Sequence, residues 1–126
     1  FKLEIISPEK SFYKNQNVRE VVIPGYEGEM GVLKDHISLI SFLKPGIIKV
    51  LTKDGNEDFY VEDGIAEFKE NQLSILTSSI FNLKEKDKTN IEKLISEAEK
   101  QLAKEDLEDQ KRYLINHKID SLKSIN

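Results

Sequence analysis

The chain changes its hydrophobic period once, near Leu83, and that change limits what it can fold into. Up to Leu83, apolar residues alternate in short runs separated by turn signals; beyond it they recur at helical spacing in a charge-rich background. Phe1, Leu3 and Ile5 alternate with Lys2 and Glu4, and Ser7-Pro8 ends the run because proline has no amide to donate to a ladder. Further strand-like runs follow at 11–14, 18–23, 37–43, 47–52, 58–61, 64–69 and 73–79. Pro24-Gly25 closes the second of these, and Pro45-Gly46 ends the run at 37–43. Lys53-Asp54-Gly55-Asn56 carries the Asp-Gly signal of a tight hairpin, and Glu70-Asn71-Gln72 separates the last pair. Ile65, Phe68, Leu73, Ile75 and Leu76 are expected in the core. Strand after strand with short turns, and no long crossover to support a parallel pair, predicts an antiparallel sandwich or barrel.

The second half reads differently. Ile91, Leu94, Ile95, Ala98 and Leu102 form one narrow helical stripe, with Asp87 or Thr89 as a candidate cap. A second stripe runs through Leu107, Leu114, Ile115, Leu122 and Ile125, and Asp106-Leu107-Glu108-Asp109 resembles a capped start with acidic residues at the positive end of the helix dipole. No glycine or proline separates the two helices, so a hairpin and one extended helix both remain open. Stripes this narrow suit packing against a single partner. Two parts are therefore expected: a β head over 1–83 and a helical tail over 84–126.

Charge is divided along the same line. Residues 84–126 hold ten basic and ten acidic side chains, and residues 1–83 hold nine and thirteen. A net charge of −4 without a basic cluster excludes non-selective nucleic-acid binding, which needs a cationic face to displace counterions. The absence of cysteine excludes disulfides and thiolate metal sites and fits a reducing compartment. No apolar run approaches the roughly 18 residues that span a bilayer, and no basic-then-apolar leader is readable. Because the sequence opens on Phe1, a few residues are expected ahead of it.

Catalytic chemistry has little to work with. His36 and His117 are the only histidines, one in each part. Asp35, His36 and Ser38 are close in sequence, but a triad needs convergence in space rather than adjacency. No His, Asp or Glu spacing repeats in the manner of a metal site. Gly25, Gly28 and Gly31 recur every three residues in what reads as a loop, yet the closing Gly-Lys-Ser/Thr of a phosphate loop is missing, and Glu27 and Glu29 would repel a phosphate. Turn geometry accounts for each glycine singly, while Met30 set beside the two carboxylates suggests a contact surface. Lys111, Arg112, Lys118 and Lys123, spread along the second helix, suit a solvated face or an acidic partner.

Residues 24–50, PGYEGEMGVLKDHISLISFLKPGIIKV, resemble the signature segment of the epsilon subunit of the rotary ATP synthase, called delta in mitochondria. The matching positions are Gly25, Gly28, Gly31, Val32, His36, Leu39 and Leu43-Lys44-Pro45-Gly46. The opening LEIISPEKSFY and the later VEDGIAEFKENQLSILTSS extend the likeness over the head; the tail matches in helical character and length. The resemblance implies a ten-stranded antiparallel β-sandwich followed by an antiparallel helical hairpin. It implies a non-catalytic rotor subunit that couples gamma to the c-ring during ATP synthesis by proton transport, with the tail regulating hydrolysis. Glu27, Gly28, Glu29 and Met30 would face the c-ring, His36, Ser38 and Ser41 would lie near gamma, and Lys111, Arg112 and Lys118 would meet the beta subunit. The complex would sit peripherally on the cytoplasmic face of a bacterial inner membrane. No cofactor is expected. The nucleotide motif of ATP-binding members is degraded: Asp87 survives, but Asn90 stands in place of arginine and Ile91 in place of alanine, and an amide cannot replace the arginine charge on a phosphate. Lys34 replaces the usual proline ahead of His36. The alternative from another class is a free-standing β-sandwich binding domain with a helical oligomerisation tail.

Overall fold

The structure is a computed structural model that describes residues 1–8, 10–85, 88–104 and 107–125. Ten strands come first: β1 (Lys2–Ser7), β2 (Lys10–Asn15), β3 (Val18–Gly25), β4 (Gly28–Leu33), β5 (Leu39–Leu43), β6 (Gly46–Thr52), β7 (Gly55–Val61), β8 (Gly64–Lys69), β9 (Gln72–Leu76) and β10 (Ile80–Asn82). A 3₁₀ turn at Leu83–Glu85 leads to α1 (Lys88–Leu102) and α2 (Asp109–Lys123). The change of period at Leu83 thus marks the change from strand to helix.

The strands form one continuous path, β10-β7-β6-β3-β5-β8-β9-β1-β2, with β4 added on β3. The link between β3 and β5 is a single pair, Gly25 with Leu43, and there the sheet folds over on itself. Its far ends meet again across the core, where Phe12 and Tyr13 of β2 lie 6.0 and 5.0 Å from the Phe59 ring of β7. Alternate residues from both layers fill the space between: Leu3, Ile5, Val21, Ile23, Ile48, Val50, Phe59, Val61, Phe68, Leu73 and Ile75 are buried in one cluster.

Several expectations are corrected. The sandwich is mixed, because β1 pairs parallel with β9, Leu3 opposite Leu73. No helical crossover joins this pair: the connection is the chain from β2 through β8, which returns β9 to the first strand. The glycine segment is a hairpin and not a loop: β3 runs through Pro24 to Gly25, turns at Tyr26-Glu27 and continues as β4 from Gly28. Gly28 has φ 127°, which explains its glycine. Ile65 and Leu76 point outward, because their strands place Ala66, Phe68, Leu73 and Ile75 inside. The strand at β10 escaped the sequence reading, its three residues being too short to show a period. Thr89 lies inside α1, whereas Asp87 and Asp106, the other cap candidates, fall outside the described residues. The cap position of α2 is Glu108, whose side chain makes no capping hydrogen bond.

The two helices form an antiparallel hairpin laid against the strands. Ile91, Leu122 and Ile125 are buried with Tyr60, flanked by Ile47 and Phe81 of the neighbouring strands and by Leu94 and Ile95 of α1. Burying Leu122 alone is worth about 1.5–3 kcal/mol. The narrow stripes therefore find their partner within the chain, on the outer face of β6, β7 and β10.

Gly64 tests the close packing of the fold. Its φ is 155°, and a β-carbon there would sit 2.7 Å from the backbone carbonyl oxygen of Leu76. Gly64→Ala is expected to destabilise the chain by about 2–3 kcal/mol through strain and overlap. Thermal unfolding followed by circular dichroism would show a clearly lower midpoint; an unchanged midpoint would contradict the β8–β9 geometry.

Candidate contact surface

The Tyr26-Glu27 turn places Glu27 and Glu29 in solvent, while Met30, opposite Ile23, is half-buried and packs on the sandwich core. Gly25, Tyr26, Glu27, Gly28 and Met30 share one recess with Ser41 of β5. A β-carbon on Gly25 would approach the Ser41 hydroxyl to 3.0 Å, so the two strands meet closely only because residue 25 has no side chain. The structure thus brings Ser41 to the hairpin.

His36 and Ser38 lie at the other end of β5. The His36 ring stands edge-on to Phe68 at 6.0 Å, and its Nδ1 is 2.7 Å from the Ile37 carbonyl oxygen. Asp35 does not orient that imidazole. Its carboxylate accepts from Asn71 Nδ2 at 2.9 Å, and its amide donates to Asn71 Oδ1 at 2.7 Å. Both residues hold positive φ, 64° and 59°, so this reciprocal clamp joins the β4–β5 turn to the β8–β9 turn. The Asp35-His36-Ser38 neighbourhood is a structural corner, not a triad.

Between these ends lies a feature that sequence reasoning missed. On the outer face, Phe42 sits opposite Ile65, Ile65 opposite Leu76, and Leu76 beside Ile6, in one row across β5, β8, β9 and β1. Tyr26 extends the row at the hairpin, its amide donating to the Phe42 carbonyl at 3.0 Å. Phe42 is 59% exposed, Leu76 53% and neighbouring Ile40 66%. Ile6, Pro8, Tyr26, Phe42, Ile65 and Leu76 line a shallow, largely apolar groove. Clustered exposed apolar residues mark interaction surfaces, whereas scattered ones do not. The signal was present in the run at 37–43: Leu39 and Leu43 on one side of β5 and Ile40 and Phe42 on the other make both sides apolar, so that the outward side is also meant to be covered.

The tail residues are held within the chain. Lys118 Nζ lies 2.9 Å from Glu62 Oε1 of the strand region, and Arg112 Nη1 donates to the Leu102 carbonyl at 3.2 Å, closing the C-terminal end of α1. Lys111 is exposed beside a groove with Lys104, Leu107 and Leu114. Asn90 is exposed in the first turn of α1; Asp87, its partner in the degraded nucleotide motif, lies outside the described residues. Among the described residues no group of His, Asp and Glu is arranged to hold a metal ion, and no helix is long and apolar enough to cross a membrane.

The fold and site define a class: a small β-sandwich with a docked helical hairpin, an exposed apolar face and an acidic hairpin. Residues 1–83 match the family described as the ATP synthase delta/epsilon chain β-sandwich domain. The chain is 59% identical over all its 126 residues to the ATP synthase epsilon chain of Pelagibacter ubique, covering 97% of that protein. It is 40% identical to the epsilon chain of a Nitratiruptor species over 79% of its length and 77% of that protein's. In structure it resembles a chain of the Euglena gracilis mitochondrial ATP synthase, with a TM-score of 0.77 and 24% identity, covering 97% of this chain and 78% of that one. A chain in the central stalk and c-ring structure of the Tetrahymena thermophila mitochondrial enzyme gives 0.65 and 13%, covering 98% and 93%. The chain belongs to the ATP synthase delta/epsilon family, as an epsilon chain.

Tyr60 bears on how firmly the tail is held. Its hydroxyl is buried without a hydrogen-bond partner among the described residues, and burial, with the nearby Glu62 charge, pushes the phenol well above its ordinary range. Tyr60→Phe removes an unpaired polar group while keeping the ring, and is expected to stabilise the docked chain by about 1 kcal/mol. A higher urea midpoint would show it, and a lower one would mean that the hydroxyl has a partner.

Proposed function

We propose that the chain joins gamma to the c-ring in the rotor of a proton-driven ATP synthase. The observation that carries this is the uncovered apolar row through Tyr26, Phe42, Ile65 and Leu76, set directly beside an acidic hairpin. As an epsilon chain it is a non-catalytic stalk subunit of a membrane-associated complex. In this reading the apolar row, with His36, Ser38 and Ser41 along its β5 edge, packs against gamma. Glu27, Gly28, Glu29 and Met30 reach the polar loops of the c-ring, with the two carboxylates outermost. A sandwich with a close-packed apolar core resists shear, which suits an element that transmits torque without slip. The complex would sit on the cytoplasmic face of a bacterial inner membrane.

The tail, residues 84–126, acts as a separate regulatory unit. When it leaves the head, Lys118 is freed from Glu62, and when the hairpin itself opens Arg112 is freed from Leu102, so that both join Lys111 against an acidic segment of beta. The alternative of a free-standing domain with an oligomerisation tail loses its main support, since the apolar stripes of the tail are already covered by the chain's own strands.

Phe42→Asp combined with Ile65→Asp removes two neighbouring contacts from the apolar row and is expected to weaken binding to isolated gamma by about a hundredfold or more. Titration calorimetry would read this, and undiminished affinity would refute the assignment of that face. At the hairpin, charge reversal at Glu27 and Glu29 is a cleaner change than one at Met30, which packs on the core. Assembled enzyme carrying Glu27→Lys and Glu29→Lys is expected to hydrolyse ATP with reduced proton pumping. Normal pumping would remove the hairpin from the c-ring contact.

A further inference from the structure

The seam between tail and head gathers a lysine and a histidine around one ring. Tyr113 of α2 receives a hydrogen bond on its hydroxyl from Lys44 Nζ at 3.3 Å, and that ammonium lies 5.7 Å from the ring centre. Lys44 comes from the β5–β6 turn, so this contact joins tail to head. One helical turn on, half-buried His117 packs edge-to-face on the same Tyr113 ring, with centroids 4.5 Å apart. Ser121 Oγ completes the contact by donating to the Pro45 carbonyl at 3.3 Å.

The other charges around the imidazole are largely matched. From the head, Glu62 is paired with Lys118 at 2.9 Å. From α1, Glu99 is paired with Lys123 at 3.9 Å. On α2 itself Asp120 follows His117 by three residues and favours its protonated form. The ammonium that the head sets against a protonated His117 is that of Lys44.

We propose that His117 makes tail docking pH-sensitive: its protonation adds a positive charge from the tail at the Tyr113 ring, which already holds the Lys44 ammonium of the head, and biases the helical hairpin off the strands. Burial first, and then the Lys44 charge, hold the docked imidazole below its ordinary range, with Asp120 opposing. Release of the tail removes the burial and the Lys44 charge together, so the released state binds the proton more tightly. Docking is therefore at full strength above the ordinary histidine value near 6.5, and weakens as pH falls through it toward the lower docked value. Side-chain carboxylates and lysine ammonium groups as classes titrate outside pH 5.5–8, which leaves histidine as the side chain that responds within that window. The other histidine, His36, lies against Phe68 in the head and away from the seam.

This concerns the isolated chain, so its failure would leave the rotor reading standing. The absence of native cysteine allows a clean spin-label pair at Lys53→Cys and Gln110→Cys, both exposed, one on the head and one on the tail. Dipolar distance measurements on the full chain are expected to show the long-distance population rising from pH 8 to pH 5.5. His117→Gln should abolish that rise, and His117→Lys should show the released population already at pH 8. Lys44→Gln leaves α2 untouched and should flatten the response, even if it shifts the population at every pH. His36→Asn should respond as the parent does. A parent distribution that does not change with pH would overturn the proposal, as would a His117→Gln chain that responds like the parent.

Discussion

Most of what this molecule presents to its surroundings hangs on one narrow corner, where β3 meets β5. The two layers of the sandwich are joined there by Gly25 and Leu43 alone, with the Tyr26 amide bonded to the Phe42 carbonyl and the Lys44 amide to the Pro24 carbonyl. Pro24 and Gly46 approach so closely that a β-carbon on Gly46 would fall 2.6 Å from that of Pro24. From this corner the acidic hairpin projects one way, the apolar row of β5 begins, and Lys44 turns toward the tail. The close approach needs residues without side chains at two positions, and the close-packed core on both sides keeps the corner in place.

The strands offer two outer apolar surfaces with different fates. One, around Ile47, Tyr60 and Phe81, is covered by the chain's own helices. The other, from Tyr26 through Phe42 and Ile65 to Leu76, is left open. An open apolar face beside paired turns and an acidic hairpin is the physical basis for reading the chain as a connector. The covered face, with an unpaired phenol and a histidine at its seam, is the basis for reading the tail as releasable. Rigid attachment and reversible docking are thus served by opposite sides of one sandwich.

Much of this was legible beforehand, for identifiable reasons. The strands of the head announced themselves because a half-buried strand must alternate, as β1, β8 and β9 do. The two helices did so because a helix laid on one surface needs a narrow stripe. The motif from Pro24 to Gly46 is readable as a family signature, although glycines spaced by three read as a loop and form a hairpin. What failed was face assignment. Ile65 and Leu76 were placed in the core because they are apolar, yet the register of β8 and β9 admits only every second residue. The parallel pairing of β1 with β9 was missed because nothing local encodes which distant strand a strand will join.

By itself, then, the sequence determined the order and kind of the elements, the division near Leu83, the absence of thiol chemistry and the family. These follow from period, composition and turn chemistry, all of which act over a few residues. Only the tertiary structure decided that β5, β8 and β9 line up their outward apolar residues into one row, that Asn71 clamps Asp35, and that Lys44 faces Tyr113 and His117 across the seam. The Asn71–Asp35 and Lys44–Tyr113 contacts join residues 36 and 69 positions apart, and no short-range pattern specifies such pairings.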